Sequence, residues 1–229
     1  MKVAIMQPYF LPYIGYYQLI NAVDIFVYYD DVNFIKQSWI NRNKIQLNGS
    51  EYLFTLELKG ASSFKRIMDI EVGNNRRKLL KTIYHSYKNA PNFKNLEPIL
   101  HMIFTSSEEN LSKYIIQTQQ YIVNYLGIKT VCLLSSELKK DNTLKGQDKI
   151  IDICKNLGAA TYINSIGGQT LYSKEDFNEA GINLKFLQTN QITYQQFKSL
   201  FIPQLSIIDI LMFNSVAEIK SLLNKYQLV

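Results

Sequence analysis

The run VAIMQPYFLPYIGYYQLINAVDIFVYYDDVNF, residues 3–34, decides the fold of this 229-residue chain. Its apolar stretches predict a buried strand over residues 3–6, a short helix over 16–22 and a second strand over 25–28. A strand–helix–strand opening favours a parallel sheet that helices cover on both faces. We therefore expect an α/β protein, with residues 1–229 forming a single Rossmann-like domain.

The rest of the chain alternates between strand-like and helical patterns. Hydrophobicity alternates within residues 43–56 around an Asn-Gly pair, which predicts a β-hairpin. Residues 75–126 have a helical pattern broken at Pro91 and Pro98, and we interpret them as a helical insertion in the middle of the domain. The remaining expected elements are strands at 129–134, 161–164 and 182–187, and helices at 146–157 and from about 216.

The excess positive charge lies in one segment. Residues 65–94 contain eight Lys or Arg against Asp69 and Glu71, which equals the net charge of +6 of the whole chain. The helix that begins near Arg76 could present a solvated basic face, bind a phosphate-bearing substrate, or bind an acidic acyl-carrier-type protein. His85 on this helix is a catalytic candidate. Because stacking aromatic side chains are not interleaved with these charges, we do not expect nucleic acid as a partner.

Several classes of protein are excluded by composition. No stretch approaches the roughly 20 apolar residues of a membrane span, and the N-terminus has no signal-peptide pattern. Cys132 and Cys154 lie in apolar segments and are expected to be free thiols. No Cys/His set has metal-ligand spacing, so no metal site is predicted. We expect a cytoplasmic protein.

The loop after the first predicted strand is the first candidate site. Ligands of open parallel sheets bind beyond the carboxyl ends of the strands. Prolines stiffen this loop, and a glycine allows close approach to the start of the helix, where anions bind. The residues assigned here to substrate binding are Gln7, Pro8, Tyr9, Gly15 and Tyr16. The tyrosines expected to pack rather than bind are Tyr13, Tyr17 and Tyr28.

A second polar cluster follows the second predicted strand. Asp30 and Asp31 could supply a general base, bind Mg²⁺ or cap a turn. Adjacent residues of an extended segment point in opposite directions, so we expect one of the two to face a pocket. Arg42 can fork onto a phosphate, and Trp39 can stack on a ring. The substrate-binding residues expected in this cluster are Asn33, Lys36, Trp39, Asn41 and Arg42.

A third cluster follows the strand predicted at 161–164. Paired glycines let backbone amides converge on an anion or a sugar hydroxyl, and neutral polar side chains suit a polyol. The residues assigned here to substrate binding are Asn164, Ser165, Gly167, Gly168 and Gln169. Residues 201–209 are expected to complete the wall of the site, unless Asp209 caps a local turn.

Three segments carry a resemblance to a known family: AIMQPYFLPYIGYYQLI, FVYYDDVNFIKQSWINRNKI and YINSIGGQTLYS. In this order they resemble the WbqC-like protein family of bacterial surface-polysaccharide biosynthesis, including the O-antigen of lipopolysaccharide. The resemblance extends from Val3 to about Asn214. It implies a role in sugar modification, which we interpret as transfer of an acyl or aminoacyl group, such as glycyl, to the amine of a nucleotide-linked amino sugar. Asp30 or Asp31 would then deprotonate or orient that amine.

The opening is also distantly similar to the adenylyl-transferring α/β superfamily with a histidine-rich, HIGH-type phosphate-binding motif. Here Tyr13 and Tyr16 stand where that motif has histidines, and tyrosine cannot become cationic as imidazole can. This difference counts against ordinary nucleotidyl transfer and leaves nucleotide binding open. The alternatives are an ATP- and Mg²⁺-using adenylating or nucleotidyl-transferring enzyme, and a non-catalytic scaffold of a polysaccharide assembly complex.

Overall fold

The structure is a computed structural model that describes residues 1–197 and 200–229. Its strands are β1 (Lys2–Met6), β2 (Ile25–Tyr28), β3 (Arg42–Leu47), β4 (Ser50–Thr55), β5 (Leu58–Lys59), β6 (Glu71–Val72), β7 (Val131–Leu134), β8 (Thr161–Ser165), β9 (Asn183–Thr189) and β10 (Tyr226–Leu228). Its α-helices are α1 (Ile14–Asn21), α2 (Arg76–Tyr87), α3 (Phe93–Thr105), α4 (Leu111–Leu126), α5 (Gly146–Asn156), α6 (Lys174–Glu179), α7 (Ile207–Phe213) and α8 (Val216–Leu222).

A six-stranded sheet has the order β10-β9-β8-β1-β2-β7. All neighbouring pairs are parallel except β10 with β9. The chain therefore builds outward from β1 to β7 on one side and from β8 to β9 on the other. The side of the sheet to which new strands are added changes between β1 and β8, although these two strands are parallel. Open α/β sheets bind ligands at such a switch in strand order. The predicted α/β fold with a mostly parallel sheet is confirmed.

Side chains of the central strands alternate between two hydrophobic cores. Val3 and Ile5 of β1 point to the core formed with α5 and α6, whereas Ala4 points to the larger core formed with the other helices. The same alternation places Val27 of β2 in the smaller core and Phe26 in the larger one. This is the pattern of a sheet that helices cover on both faces.

The predicted hairpin is formed by β3 and β4, with Arg42 opposite Thr55 and Leu47 opposite Ser50. Its turn has positive φ at Asn48 (52°) and at Gly49 (78°). Two such residues in succession are typical of the tight turn that matches the twist of paired strands.

The helical region predicted for residues 75–126 consists of α2, α3 and α4. Pro91 falls between α2 and α3 as expected, but the predicted break at Pro98 is wrong, because Pro98 lies inside α3. Leu96 and Leu100 on either side of it are buried in the larger core, so packing holds the helix despite the missing backbone donor. No helix within the described residues is long and apolar enough to cross a membrane.

Candidate functional site

A cavity of ≈ 500 Å³, here called the main cavity, opens beyond the carboxyl ends of β8 and β9. Its walls include the start of α1, the end of β9 and the segment that follows β9. It therefore lies on the same edge of the sheet as the switch between β1 and β8. Its lining residues are Tyr13, Ile14, Ile166, Gln188, Thr189, Asn190, Gln191, Ile192, Tyr194, Phe201, Pro203, Gln204, Leu205 and Ile210.

The polar part of the main cavity is electrically neutral. Amide side chains come from Gln188 and Asn190 at the end of β9 and from Gln204 farther along the chain. Each amide offers both donors and acceptors, which is the hydrogen-bonding pattern that sugar hydroxyls require. Among the described residues, no Lys, Arg, His, Asp or Glu lines this cavity.

A second cavity of ≈ 220 Å³, here called the aromatic cavity, adjoins the main cavity. Tyr13 and Gln204 line both of them. The guanidinium carbon of Arg42 lies 5.9 Å, and Nζ of Lys44 lies 5.8 Å, from the centre of the Trp39 ring. The lining residues are Tyr9, Pro12, Tyr13, Trp39, Asn43 and Gln204. Lys44 is already paired with Glu51, at 2.7 Å from its Oε1. Flat rings beside the Arg42 guanidinium suit a ligand that combines an aromatic base with phosphate.

Tyr13 lines both cavities, and the position of its ring depends on Gly15. A Cβ atom at Gly15 would lie 2.3 Å from the Tyr13 ring, which covers the first turn of α1. The glycine is therefore required so that Tyr13 can adopt this position. The sequence interpretation treated Tyr13 as a packing residue, whereas the structure places it in the wall of both cavities.

The other residues predicted in the first loop are divided between cavity and core. Tyr9 lines the aromatic cavity. Tyr16 is buried and its hydroxyl donates a hydrogen bond of 2.8 Å to the carbonyl oxygen of Gln7. Pro8 is buried and Gln7 is half-buried, and neither lines the two cavities.

Asp30 is buried at the carboxyl end of β2, where it holds the turn after β7. Its Oδ1 accepts a hydrogen bond of 3.0 Å from the backbone N–H of Ser136, and its Oδ2 accepts one of 2.7 Å from the Ser136 hydroxyl. The backbone carbonyl of Asp30 also accepts from the N–H of Met68. Asp30 does not line either cavity, and its catalytic role stays a prediction.

Asp31 forms a nearly buried ion cluster. Its Oδ2 lies 3.0 Å from Nζ of Lys140 and 3.3 Å from Nζ of Lys149. Burial raises the pKa of Asp31, but the nearby Ser135 hydroxyl and the two ammonium groups outweigh it, so the pKa lies below its usual value. Asp30 and Asp31 thus face different partners, as adjacent residues of an extended segment do.

The remaining residues predicted near Arg42, and His85 predicted on the basic helix, are spread out. Lys36 and Asn33 are exposed, and Asn33 forms an isolated bridge with Arg66. Asn41 donates a side-chain hydrogen bond of 2.8 Å to the carbonyl of Leu56. His85 is exposed on α2. None of these four predicted residues lines either cavity.

The third predicted cluster is a folded loop that contributes one wall residue, Ile166. Asn164 is buried; its Oδ1 accepts from the Ser165 N–H at 2.6 Å. A Cβ at Gly168 would lie 3.1 Å from Nδ2 of Asn164, so the glycine packs on this amide. Gly167 and Gln169, the remaining residues of this prediction, are exposed.

Residues 201 and 203–205, within the stretch expected to complete the wall, line the main cavity, but sequence reasoning missed the wall residues around the end of β9. Residues 188–191, Gln-Thr-Asn-Gln, come directly after the apolar run predicted as a strand at 182–187 and span the end of β9, which is the same signal that identified the cluster at Asn164. It also missed the network around Asp209, which is fully buried and accepts hydrogen bonds from Tyr87, Tyr194 and Gln196.

Neither a cluster of metal ligands nor a disulfide occurs among the residues that the structure describes. They contain no group of three or more His, Cys, Asp or Glu that could hold a metal ion. Cys132 and Cys154 are free, as predicted. Burial raises the pKa of Cys154 to about 12, so its thiol is protonated at neutral pH.

Comparison with known proteins gives a family and one relative. The family model described as "WbqC-like protein family" matches residues 7–221. An uncharacterized protein of Mycobacterium tuberculosis (strain ATCC 25618 / H37Rv), Rv1507c, is 29% identical over 226 residues, which cover 95% of each chain. No solved structure matches the chain.

Proposed function

The chain belongs to the WbqC-like protein family, and from this membership and its two joined cavities we propose that it is a transferase of bacterial surface-polysaccharide biosynthesis. It adds an acyl or aminoacyl group to the amine of a nucleotide-linked sugar. The observation that carries the proposal is the amide-lined main cavity, which adjoins an aromatic cavity whose Trp39 ring lies beside the Arg42 guanidinium.

The two cavities divide the substrate between them. The sugar occupies the main cavity, where Gln188, Asn190 and Gln204 exchange hydrogen bonds with its hydroxyls. The nucleobase stacks in the aromatic cavity, and the diphosphate lies toward Arg42, whose guanidinium can fork onto two phosphate oxygens. Tyr13 stands at the junction, where the sugar and the nucleotide are joined.

The transfer itself needs a neutral amine. The amine nitrogen attacks the acyl carbonyl carbon, the new C–N bond forms as the donor's leaving group departs, and the nitrogen loses a proton. The candidates that the sequence predicts for accepting this proton are Asp30 and Asp31, and both lie outside the linings of the two cavities. An acyl-carrier-type donor would be bound through the exposed basic side chains of α2, among them Arg77 and Lys81.

Calorimetry with nucleotide-linked sugars and with the free nucleotides tests the binding step. We expect the nucleotide sugar to bind more tightly than its nucleotide, since only the former fills the main cavity. Gln188→Ala should weaken the binding of the nucleotide sugar by about 1 kcal/mol, the value of a neutral hydrogen bond. The affinity for the free nucleotide should not change. Gln195→Ala is the matched control, because Gln195 is an exposed glutamine outside both linings. Equal binding of sugar nucleotides and nucleotides would refute the proposal.

A further inference from the structure

A carboxylate that forms no ion pair with the described residues lies behind the wall of the main cavity. Asp209, at the start of α7, is 0% exposed. Its Oδ2 accepts a hydrogen bond of 2.7 Å from the Tyr87 hydroxyl. Its Oδ1 accepts one of 2.6 Å from the Tyr194 hydroxyl and one of 2.7 Å from Nε2 of Gln196.

This arrangement satisfies the hydrogen bonds of Asp209, but no cation in the described part of the chain forms an ion pair with it. None of the ion pairs formed by residues 1–197 and 200–229 involves it. Burial raises the pKa of Asp209 even though the hydrogen bonds from Tyr194, Tyr87 and Gln196 oppose the shift. A buried anion is costly unless a cation accompanies it, so a cation brought by a ligand would relieve that cost.

Tyr194 connects this anion to the main cavity, which it lines. Because its hydroxyl hydrogen is donated to Asp209, the Tyr194 oxygen can only accept a hydrogen bond from a ligand. Nε2 of Gln196 makes a long contact of 3.4 Å to the Tyr194 oxygen. That oxygen has a second lone pair, which can accept a hydrogen bond from a ligand. This part of the wall therefore differs from the amides around it, which offer donors as well as acceptors.

We propose that Tyr194 and Asp209 together recognise the ammonium group of the amino sugar, with the Tyr194 oxygen accepting an N–H hydrogen bond and Asp209 supplying the opposite charge. The inference rests on the proposed function, because it requires the sugar to occupy the main cavity. A sugar hydroxyl could also donate to Tyr194, but it brings no charge. The pair therefore selects an amino sugar over the same sugar with a hydroxyl in that position.

The test compares ligands that differ in one group. Calorimetry at pH 7 measures the affinity for matched nucleotide sugars, such as UDP-glucosamine with UDP-glucose and the corresponding dTDP-linked deoxysugars. In the matched pair whose amine reaches Tyr194, we expect native protein to bind the amino-sugar nucleotide at least about tenfold more tightly than its hydroxyl counterpart. This is the scale of a charge-assisted hydrogen bond. Tyr194→Phe should reduce this preference to about twofold or less.

Two further variants separate recognition from folding. Tyr87→Phe removes the other phenolic hydrogen bond to Asp209, but Tyr87 lies outside the main cavity lining, so the preference for the amine should remain. Asp209→Asn, if it folds, should lose the preference as Tyr194→Phe does. If Tyr194 has a purely structural role, Tyr194→Phe should lower the affinity for both ligands equally.

The possible failures are distinct. Binding of both ligands without a preference in any native pair, or an unchanged preference in folded Tyr194→Phe, overturns this inference and leaves the proposed function standing. Absence of binding by every nucleotide sugar overturns both.

Discussion

Asp31 lies between two lysines that are almost completely buried, and its replacement by asparagine would leave both of them without a countercharge. The side chains of Asp31, Lys140 and Lys149 are 7%, 2% and 11% exposed. Oδ2 of Asp31 is 3.0 Å from the first ammonium group and 3.3 Å from the second. An asparagine would keep the shape of the side chain and remove its charge.

The expected cost follows from that geometry. Breaking a buried ion pair by removing one partner costs about 3–5 kcal/mol, because the remaining charge is uncompensated. Here two ammonium groups lose the same carboxylate, so we expect Asp31→Asn to lower the free energy of unfolding by at least the lower end of that range. Replacing Lys140 and Lys149 with methionine in the Asp31→Asn background should restore most of the loss, since no buried charge then remains.

Urea denaturation as a function of pH is the appropriate assay. The pKa of Asp31 is lowered in the folded protein, while an unfolded aspartate titrates near about 3.9. The stabilisation by the carboxylate is therefore fully present above about pH 5, and it is lost as the pH falls through the lower, folded pKa. The difference between native protein and Asp31→Asn should be constant from pH 7 to about pH 5 and should shrink below pH 4.

A loss below about 1 kcal/mol at pH 7 would refute this reasoning, and so would a triple variant as unstable as Asp31→Asn. The result also bears on catalysis. If Asp31→Asn is as stable as native protein but does not transfer the acyl group, Asp31 acts as the predicted base rather than as the centre of an ion cluster.

Three other variants test the loop, the cations and the basic helix. Arg42→Lys should weaken nucleotide-sugar binding by about 1–3 kcal/mol in calorimetry, because an ammonium cannot fork onto two phosphate oxygens; unchanged affinity would remove Arg42 from the site. Gly15→Ala should displace the Tyr13 ring and weaken nucleotide-sugar binding at least about tenfold, since the new Cβ would lie 2.3 Å from that ring. Reversing Arg77 and Lys81 to glutamate should slow turnover with a carrier-bound donor more at low salt than at high salt, and an equal loss with a small free donor would contradict a carrier-binding role.

The strands and their layering could be predicted from sequence because they depend on local patterns. Short apolar runs over residues 3–6 and 25–28 identified β1 and β2, and the Asn48-Gly49 pair identified the hairpin turn. Polar residues directly after a parallel strand also pointed to the edge of the sheet at which the main cavity opens. These features can be predicted without knowing which distant residues pack together. The hydrophobic period and the turn geometry depend only on consecutive residues of the chain.

What the tertiary structure decided is which of the many polar side chains meet. Asp30 accepts hydrogen bonds from Ser136, and Asp31 forms ion pairs with two lysines. Each of these partners is more than 100 positions away in the chain. Asp209, with no neighbouring polar motif, meets a tyrosine 122 positions earlier in the chain. Such contacts depend on how helices and loops pack across the sheet, and a local pattern carries no information about that packing.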